Sequence, residues 1–117
     1  MGPKGYKYGE YNIRKAYVKW ANMKANEIGP AFPVDHKKPL SVMVTGVTGG
    51  AEVALNASLD TDTEAQFPIM HNSSGGGMTF RTTPALENIN EDCLQIRPEI
   101  HGGSDLTDIT VTVLLAR

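Results

Sequence analysis

From Pro39 onward the chain alternates apolar and polar side chains with a period of two, the pattern of strands that bury one face. Over Leu40 to Val47, Val42 and Val44 fall on one side and Ser41, Met43 and Thr45 on the other. Thr48-Gly49-Gly50 then reads as a turn. Glu52 to Leu59 sets Val53, Leu55, Ala57 and Leu59 against Glu52, Ala54, Asn56 and Ser58, and the polar turn Asp60-Thr61-Asp62-Thr63 follows. Gln66 to Met70 and Met78 to Thr82 are short strands around Phe67, Ile69 and Phe80, with Pro68 arguing for an edge position. Between them runs the glycine-rich loop Asn72 to Gly77. Leu86 to Asp92 reads as a polar connection with room for one helical turn. Cys93 to His101 turns Leu94, Ile96 and Ile100 inward and Gln95, Arg97, Glu99 and His101 outward. After the turn Gly102 to Asp105, the stretch Ile109 to Leu115 presents Ile109, Val111, Val113 and Leu115 on one face. Strands separated by turns roughly every eight to twelve residues predict an all-β fold, an antiparallel β-sandwich of jelly-roll-like character. The last strand is expected inside its sheet, because a terminal strand needs pairing to stay ordered.

The residues before Pro39 are of a different character. Met1 to Asn26 carries six positive side chains (Lys4, Lys7, Arg14, Lys15, Lys19, Lys24) against Glu10 alone, whereas the rest of the chain is acidic and brings the net charge to −2. All four tyrosines (Tyr6, Tyr8, Tyr11, Tyr17) and Trp20 lie in this segment too. Aromatic rings normally concentrate in a domain's own core, since each buries a large apolar area. Here they sit in a polar stretch punctuated by glycine and proline. The expectation is an extended basic aromatic arm over residues 1–38, attached to a β-sandwich domain over residues 39–117, with its anchors buried against a partner. The alternative is that Lys and Arg are a solvated face while Tyr and Trp pack against the chain's own sandwich. Within it, Lys15 to Lys24 fits a strand, with Tyr17 and Lys19 opposite Val18 and Trp20, or a short helix with Ala16, Trp20 and Met23 on one side. Gly29-Pro30-Ala31-Phe32-Pro33 is extended, because each proline pushes its predecessor out of the helical region.

The totals narrow the class. With 40% hydrophobic and 21% charged residues among 117, the composition is that of one globular domain. No apolar run reaches the roughly 18 residues of a membrane helix, and the start has no hydrophobic stretch of a secretory signal. Cys93 is the single cysteine, which excludes an internal disulfide and a multi-cysteine zinc site. A core of this size yields only a few kcal/mol of net stability, so self-association is the expected supplement.

Chemistry is sparse. Asp60, Asp62 and Glu64 alternate like the opening of a calcium loop, but Ala65 stands where glycine is required and His71 where the closing glutamate belongs. Asn72 to Gly77 has no Gly-Lys-Ser/Thr ending, so it is no phosphate loop. His36, His71 and His101 lack metal-ligand spacing, and Cys93 opens a buried strand as a small core residue. No nucleophile stands beside a base. The expectation is a non-enzyme with no cofactor, metal, small-molecule substrate or membrane partner. The basic aromatic segment has the footprint of a nucleic-acid binder, and the acidic domain behind it, with a chain pI near 5.9, argues against that partner.

Three stretches together carry a resemblance. Val53-Ala54-Leu55-Asn56-Ala57-Ser58-Leu59-Asp60, then Leu94-Gln95-Ile96-Arg97-Pro98 with His101-Gly102-Gly103, and the closing Ile109 to Arg117 resemble small β-sandwich virion proteins of tailed bacteriophages. The resemblance covers residues 40–117 and departs after Asp60, where Thr-Asp-Thr-Glu stands in place of a glycine and an aromatic. It implies a capsid decoration (cement) protein, with a head–tail connector or tail component as the nearby alternative. The implied partners are the major capsid protein and copies of the chain itself, as a homotrimer on the shell of the virion. The expected contact residues are Tyr6, Tyr8, Tyr11, Tyr17 and Trp20, with Lys4, Lys7, Arg14, Lys15 and Lys19 meeting acidic patches. A glycan-binding sandwich is the rival from another class, and the loops 60–65, 72–77 and 102–108 lack the aromatics it needs.

Overall fold

The computed structural model describes residues 5–60, 62, 66–71, 75–89 and 91–117. The expectations placed on Lys4, Glu64 and residues 72–74 lie outside these. Among the described residues nine strands are present: β1 (Lys7–Glu10), β2 (Lys15–Met23), β3 (Phe32–Pro33), β4 (Lys38–Val47), β5 (Glu52–Ser58), β6 (Thr79–Phe80), β7 (Ala85–Asn88), β8 (Gln95–His101) and β9 (Asp108–Ala116). They form two antiparallel sheets packed as a β-sandwich, one in the order β1-β2-β9-β4-β7 and the other β3-β8-β5-β6.

The alternation seen in the sequence is the alternation of burial in β8 and β9 and around Val42 and Val44 of β4, whereas β5 is buried on both faces and Leu59 and Leu94, expected inward at strand ends, are exposed. Val42 and Val44 of β4, Val53 and Leu55 of β5, Ile96 and Ile100 of β8, and Ile109, Val111, Val113 and Leu115 of β9 are all buried between the sheets. As expected, β9 is interior, with β2 on one side and β4 on the other. Burying these faces stabilises the fold by about 25 cal/mol per Å² of apolar area.

The expected arm is where the structure departs most from the sequence reading. β2 pairs with β9 along nearly its whole length, from Lys15 opposite Ala116 to Met23 opposite Ile109, and inserts Ala16, Val18, Trp20 and Met23 into the core. β1 folds back onto β2 as a hairpin, β3 adds to β8, and Lys38 already belongs to β4. Residues 7–38 therefore supply one edge of each sheet, and the boundary drawn at residue 38 cuts into the domain. The physical reason is that the inward residues of β2 are all apolar and bury the strand, whatever the charge of its outward ones.

Residues 86–88, expected in a polar connection, form β7 together with Ala85 through pairing with β4, Ala85 opposite Val44 and Asn88 opposite Ser41. Gln66 to Met70 contributes a single bridge, Ile69 to Asn56, rather than a full strand. It is held by Ala57 N donating to Pro68 O (3.0 Å) and Met70 N donating to Leu55 O (3.1 Å).

Candidate partner-binding face

Lys4 lies outside the described residues; of the other nine expected contact residues, those on β2 divide by strand parity. Trp20, 1% exposed, points into the sandwich. Its Nε1 donates to Pro30 O at 2.9 Å, so the polar edge of the indole is satisfied inside. Tyr6 and Tyr8 close the same corner. Tyr6 meets Phe32 edge-on at 5.2 Å and Trp20 at 6.1 Å, while Tyr8 stacks on Phe32 at 5.8 Å with Lys37 Nζ 5.3 Å from its ring centroid. Trp20 and Phe32 belong to the chain's own core, Tyr8 packs against it, and Tyr6, 38% exposed, covers their outer edge. Trp20 has no exposed ring surface, so it follows the alternative in which the aromatics pack on the chain's own sandwich.

Tyr17 lies on the other face of β2, with Lys15 and Lys19 two residues to either side. Register extends this across the sheet, since directly opposed residues share a face. Lys19 faces Lys7 on β1 and Thr112 on β9; Thr112 faces Met43 on β4, and Met43 faces Leu86 on β7. One row thus crosses all five strands, basic at the β1 edge and apolar at the β7 edge. The adjacent row is Gly9, Tyr17, Leu114, Ser41 and Asn88, and beyond it Lys15 and Lys38 flank Ala116.

Three features of this face cost stability in the isolated chain. Lys7 and Lys19 stand directly opposite each other, an arrangement of like charges that is unfavourable. Among the described residues neither they nor Lys15 and Arg14 form an ion pair. The Thr112 hydroxyl is buried beside them with no hydrogen-bond partner. Large apolar side chains are also left to solvent here, Met43 and Leu86 among them.

The hairpin joining β1 to β2 is tied at the basic end by side-chain and backbone hydrogen bonds. Asn12 Oδ1 accepts from the backbone N–H of Arg14 (2.8 Å) and of Lys15 (2.9 Å), which fixes the turn. Arg117 clamps it from the far end of the chain: its N–H donates to Arg14 O at 2.9 Å, and its guanidinium reaches Asn12 O at 3.2 Å and Glu10 Oε2 at 3.1 Å. Tyr11 lies against Tyr17 with ring centroids 4.8 Å apart. Lys7, Tyr11, Arg14, Lys15, Tyr17 and Lys19 are therefore gathered on the outer face and hairpin of one rigid sheet.

The remaining polar clusters have less to offer chemistry. Cys93 lies at the base of a groove near His71 and Glu91, and His71 Nδ1 is 3.2 Å from Glu91 Oε1. Burial, with Asp92 and Glu91 alongside, pushes the Cys93 thiol up to about 12, so it stays a thiol and not the thiolate a nucleophile requires. Among the described residues no three His, Cys, Asp or Glu side chains are grouped to hold a metal. On the outer face of the second sheet, Asn56 donates to Glu99, and Arg97 packs its guanidinium 4.1 Å from the centre of Phe67. Asn56 Oδ1 and Arg97 Nε, a complementary acceptor and donor on directly paired residues, are both buried and unpartnered.

Sequence reasoning found the basic and aromatic residues through composition alone. It did not find Met43, Leu86 and Thr112, which join them only through strand pairing.

No family model matches the chain, and no curated protein matches it. Among solved structures the SPBc2 prophage-derived protein YomS superimposes with a TM-score of 0.67 at 15% identity, over 88% of this chain and 95% of that one. The two chains share a fold along almost their whole lengths. Drosophila melanogaster CENP-C, solved bound to CAL1, gives a TM-score of 0.44 at 11% identity over 100% of this chain and 74% of that one. The K3 adhesin domain of Lys-gingipain from Porphyromonas gingivalis W83 gives 0.42 at 10% identity, over 87% and 74%. These last two likenesses have no bearing on function.

Proposed function

We propose that this chain is a structural protein of a tailed-phage particle, and specifically a capsid decoration protein that lies on the outer shell. The observation that carries the reading is the uncompensated basic row on a rigid β face, Lys7 opposite Lys19, with Tyr17 and Tyr11 beside it. A surface that pays for like-charge opposition when free is relieved on meeting an acidic one. The fold shared with a prophage-derived protein and the resemblance of residues 40–117 to small virion sandwiches support the same assignment.

The partners are the major capsid protein and further copies of the chain, arranged as a trimer at a symmetric position of the shell. Lys7, Arg14, Lys15 and Lys19 meet acidic patches and set orientation and on-rate more than affinity. Tyr11 and Tyr17 add apolar burial, on the order of 2 kcal/mol for a ring that becomes fully covered. Repetition around the shell turns modest contacts into stable occupancy through avidity.

The test is co-sedimentation of the purified chain with shells that lack it, at low and high salt. Binding that weakens with salt and is abolished in the Lys7→Glu, Lys19→Glu double variant supports the reading. Undiminished binding of that variant, with its fold intact, overturns it.

A further inference from the structure

The hairpin tip and a groove on the same end of the sandwich are complementary, and this points to a contact between copies that goes beyond docking on a shell. Ile13, at the tip between β1 and β2, is 85% exposed, and its neighbour Tyr11 is 63% exposed. Arg14 and Lys15 follow at once. The tip is therefore an aliphatic knob with a cationic collar, held in shape by Asn12 and Arg117.

The groove, of about 250 Å³, lies where β5 ends and the segment 66–71 passes it. Leu59, Pro68 and Ile69 form its apolar walls, Cys93 its base, and Glu91 and Asp92 its rim. Leu59 is 76% exposed and Ile69 is exposed too, so apolar surface on both sides of the complementarity faces water. Of the rim charges, Asp92 is only loosely engaged at home, while Glu91 also lies 3.2 Å from His71 Nδ1. Asp92 meets Lys38 at 3.9 Å with both side chains largely in solvent, a pairing worth little. Glu91 accepts from the His71 backbone N–H at 2.7 Å, which fixes a negative charge at the mouth.

Pairing puts knob and groove at one end. Lys15 and Lys38 both face Ala116 at the start of β2 and β4, Lys38 reaches Asp92, and Ser58 faces Gln95 where β5 ends and β8 begins. In the order of strands the knob is at the β1 edge of one sheet. The groove is toward the β5–β6 side of the other.

We propose that the groove takes the Ile13 tip of a second copy of this chain, Arg14 and Lys15 pairing with Glu91 and Asp92 of the receiving copy. Reciprocal insertion gives a two-fold dimer, and successive insertion around an axis gives a closed ring such as the trimer. Either closure uses the same contact. It buries aliphatic surface that is otherwise wet, and the charges fix its register.

Sedimentation of the full chain over a wide concentration range reads this out against a monomer mass of 12.7 kDa. The expected result is a mass that rises to a multiple of the monomer. Ile13→Asp raises the dissociation constant by about thirtyfold or more, as loss of a central anchor does. Leu59→Asp, on the groove side, does the same. Mixing these two variants restores association as a species of two chains, since one intact tip then meets one intact groove. Arg14→Glu combined with Glu91→Arg recovers affinity that each single change loses. A chain that stays monomeric throughout overturns the proposal. So does association that survives Ile13→Asp and Leu59→Asp but is lost with Lys7→Glu and Lys19→Glu, because that assigns the contact to the outer face. Shell binding is measured separately with the Lys7 and Lys19 variants, so failure of this contact leaves the decoration reading standing, and the reverse.

Discussion

Trp20 Nε1 donates to the carbonyl of Pro30 at 2.9 Å, tying the most basic stretch of the chain to the proline segment that leads into β3. Gly29 makes the approach possible, since a Cβ there would come within 2.8 Å of the indole and 2.9 Å of Pro98. The bond lies inside a corner sealed by Tyr6, Tyr8 and Phe32. A residue expected to anchor a partner is thus the keystone of its own domain.

Trp20→Ala is accordingly expected to cost about 3–5 kcal/mol, most of the stability of a small domain. Trp20→Phe keeps a ring but strands the Pro30 carbonyl, at a cost of about 1–3 kcal/mol. A chain starting at Pro39 lacks β1, β2 and β3 and is expected not to fold. Urea denaturation followed by circular dichroism checks all three. A cooperative transition from the truncated chain would contradict the role given to these strands.

Gly9 faces Tyr17 across the hairpin, and the Tyr17 ring lies directly over it. A Cβ at position 9 would collide with the ring, so Gly9→Ala is expected to destabilise by about 1–3 kcal/mol and to release Tyr17 from Tyr11. The denaturation midpoint measures the first effect, and tyrosine ring shifts in NMR measure the second.

Lys19→Glu separates stability from binding. It replaces a like-charge opposition with Lys7 by an attractive one, and about 0.5 kcal/mol of added stability is expected. Shell binding should fall in the same variant. Parallel changes in stability and binding would mean that the face has no docking role.

The Cys93 thiol, held up at about 12, should resist alkylation in the folded chain at pH values where free thiols react readily. Its effect on stability has a definite sign. The unfolded thiol titrates near 9.0 and the folded one near 12, so the folded state holds the extra proton between them. The stabilisation is complete below about pH 9 and is lost as pH rises toward 12. Cys93→Ala should therefore show a shallower alkaline decline than the parent chain. Equal slopes would mean that the thiol is not buried as described.

The two readings of Lys15 to Lys24 show where sequence reasoning holds and where it stops. The strand alternative puts Val18 and Trp20 on one side and Tyr17 and Lys19 on the other, and β2 does so. The same residues were assigned to an arm because their outward face is basic, and charge on an outer face says nothing about whether the inner face is buried. β7 illustrates the opposite failure. Ala85, Leu86, Glu87 and Asn88 have little intrinsic preference for strands. They are extended because β4 offers a free edge, and that edge is remote in sequence.

By itself, then, the sequence determined what repeats locally: the period of two, the inward residues of β4, β8 and β9, and the glycine turns between the strands. These follow from side-chain alternation and backbone sterics within a few residues. Tertiary structure alone decided which strands are neighbours, that Trp20 closes the core, and that Lys7, Lys19, Thr112, Met43 and Leu86 share one row. Pairing of that kind joins residues as far apart as 19 and 112, and it is set by competition for buried surface across the whole chain. No local pattern encodes it.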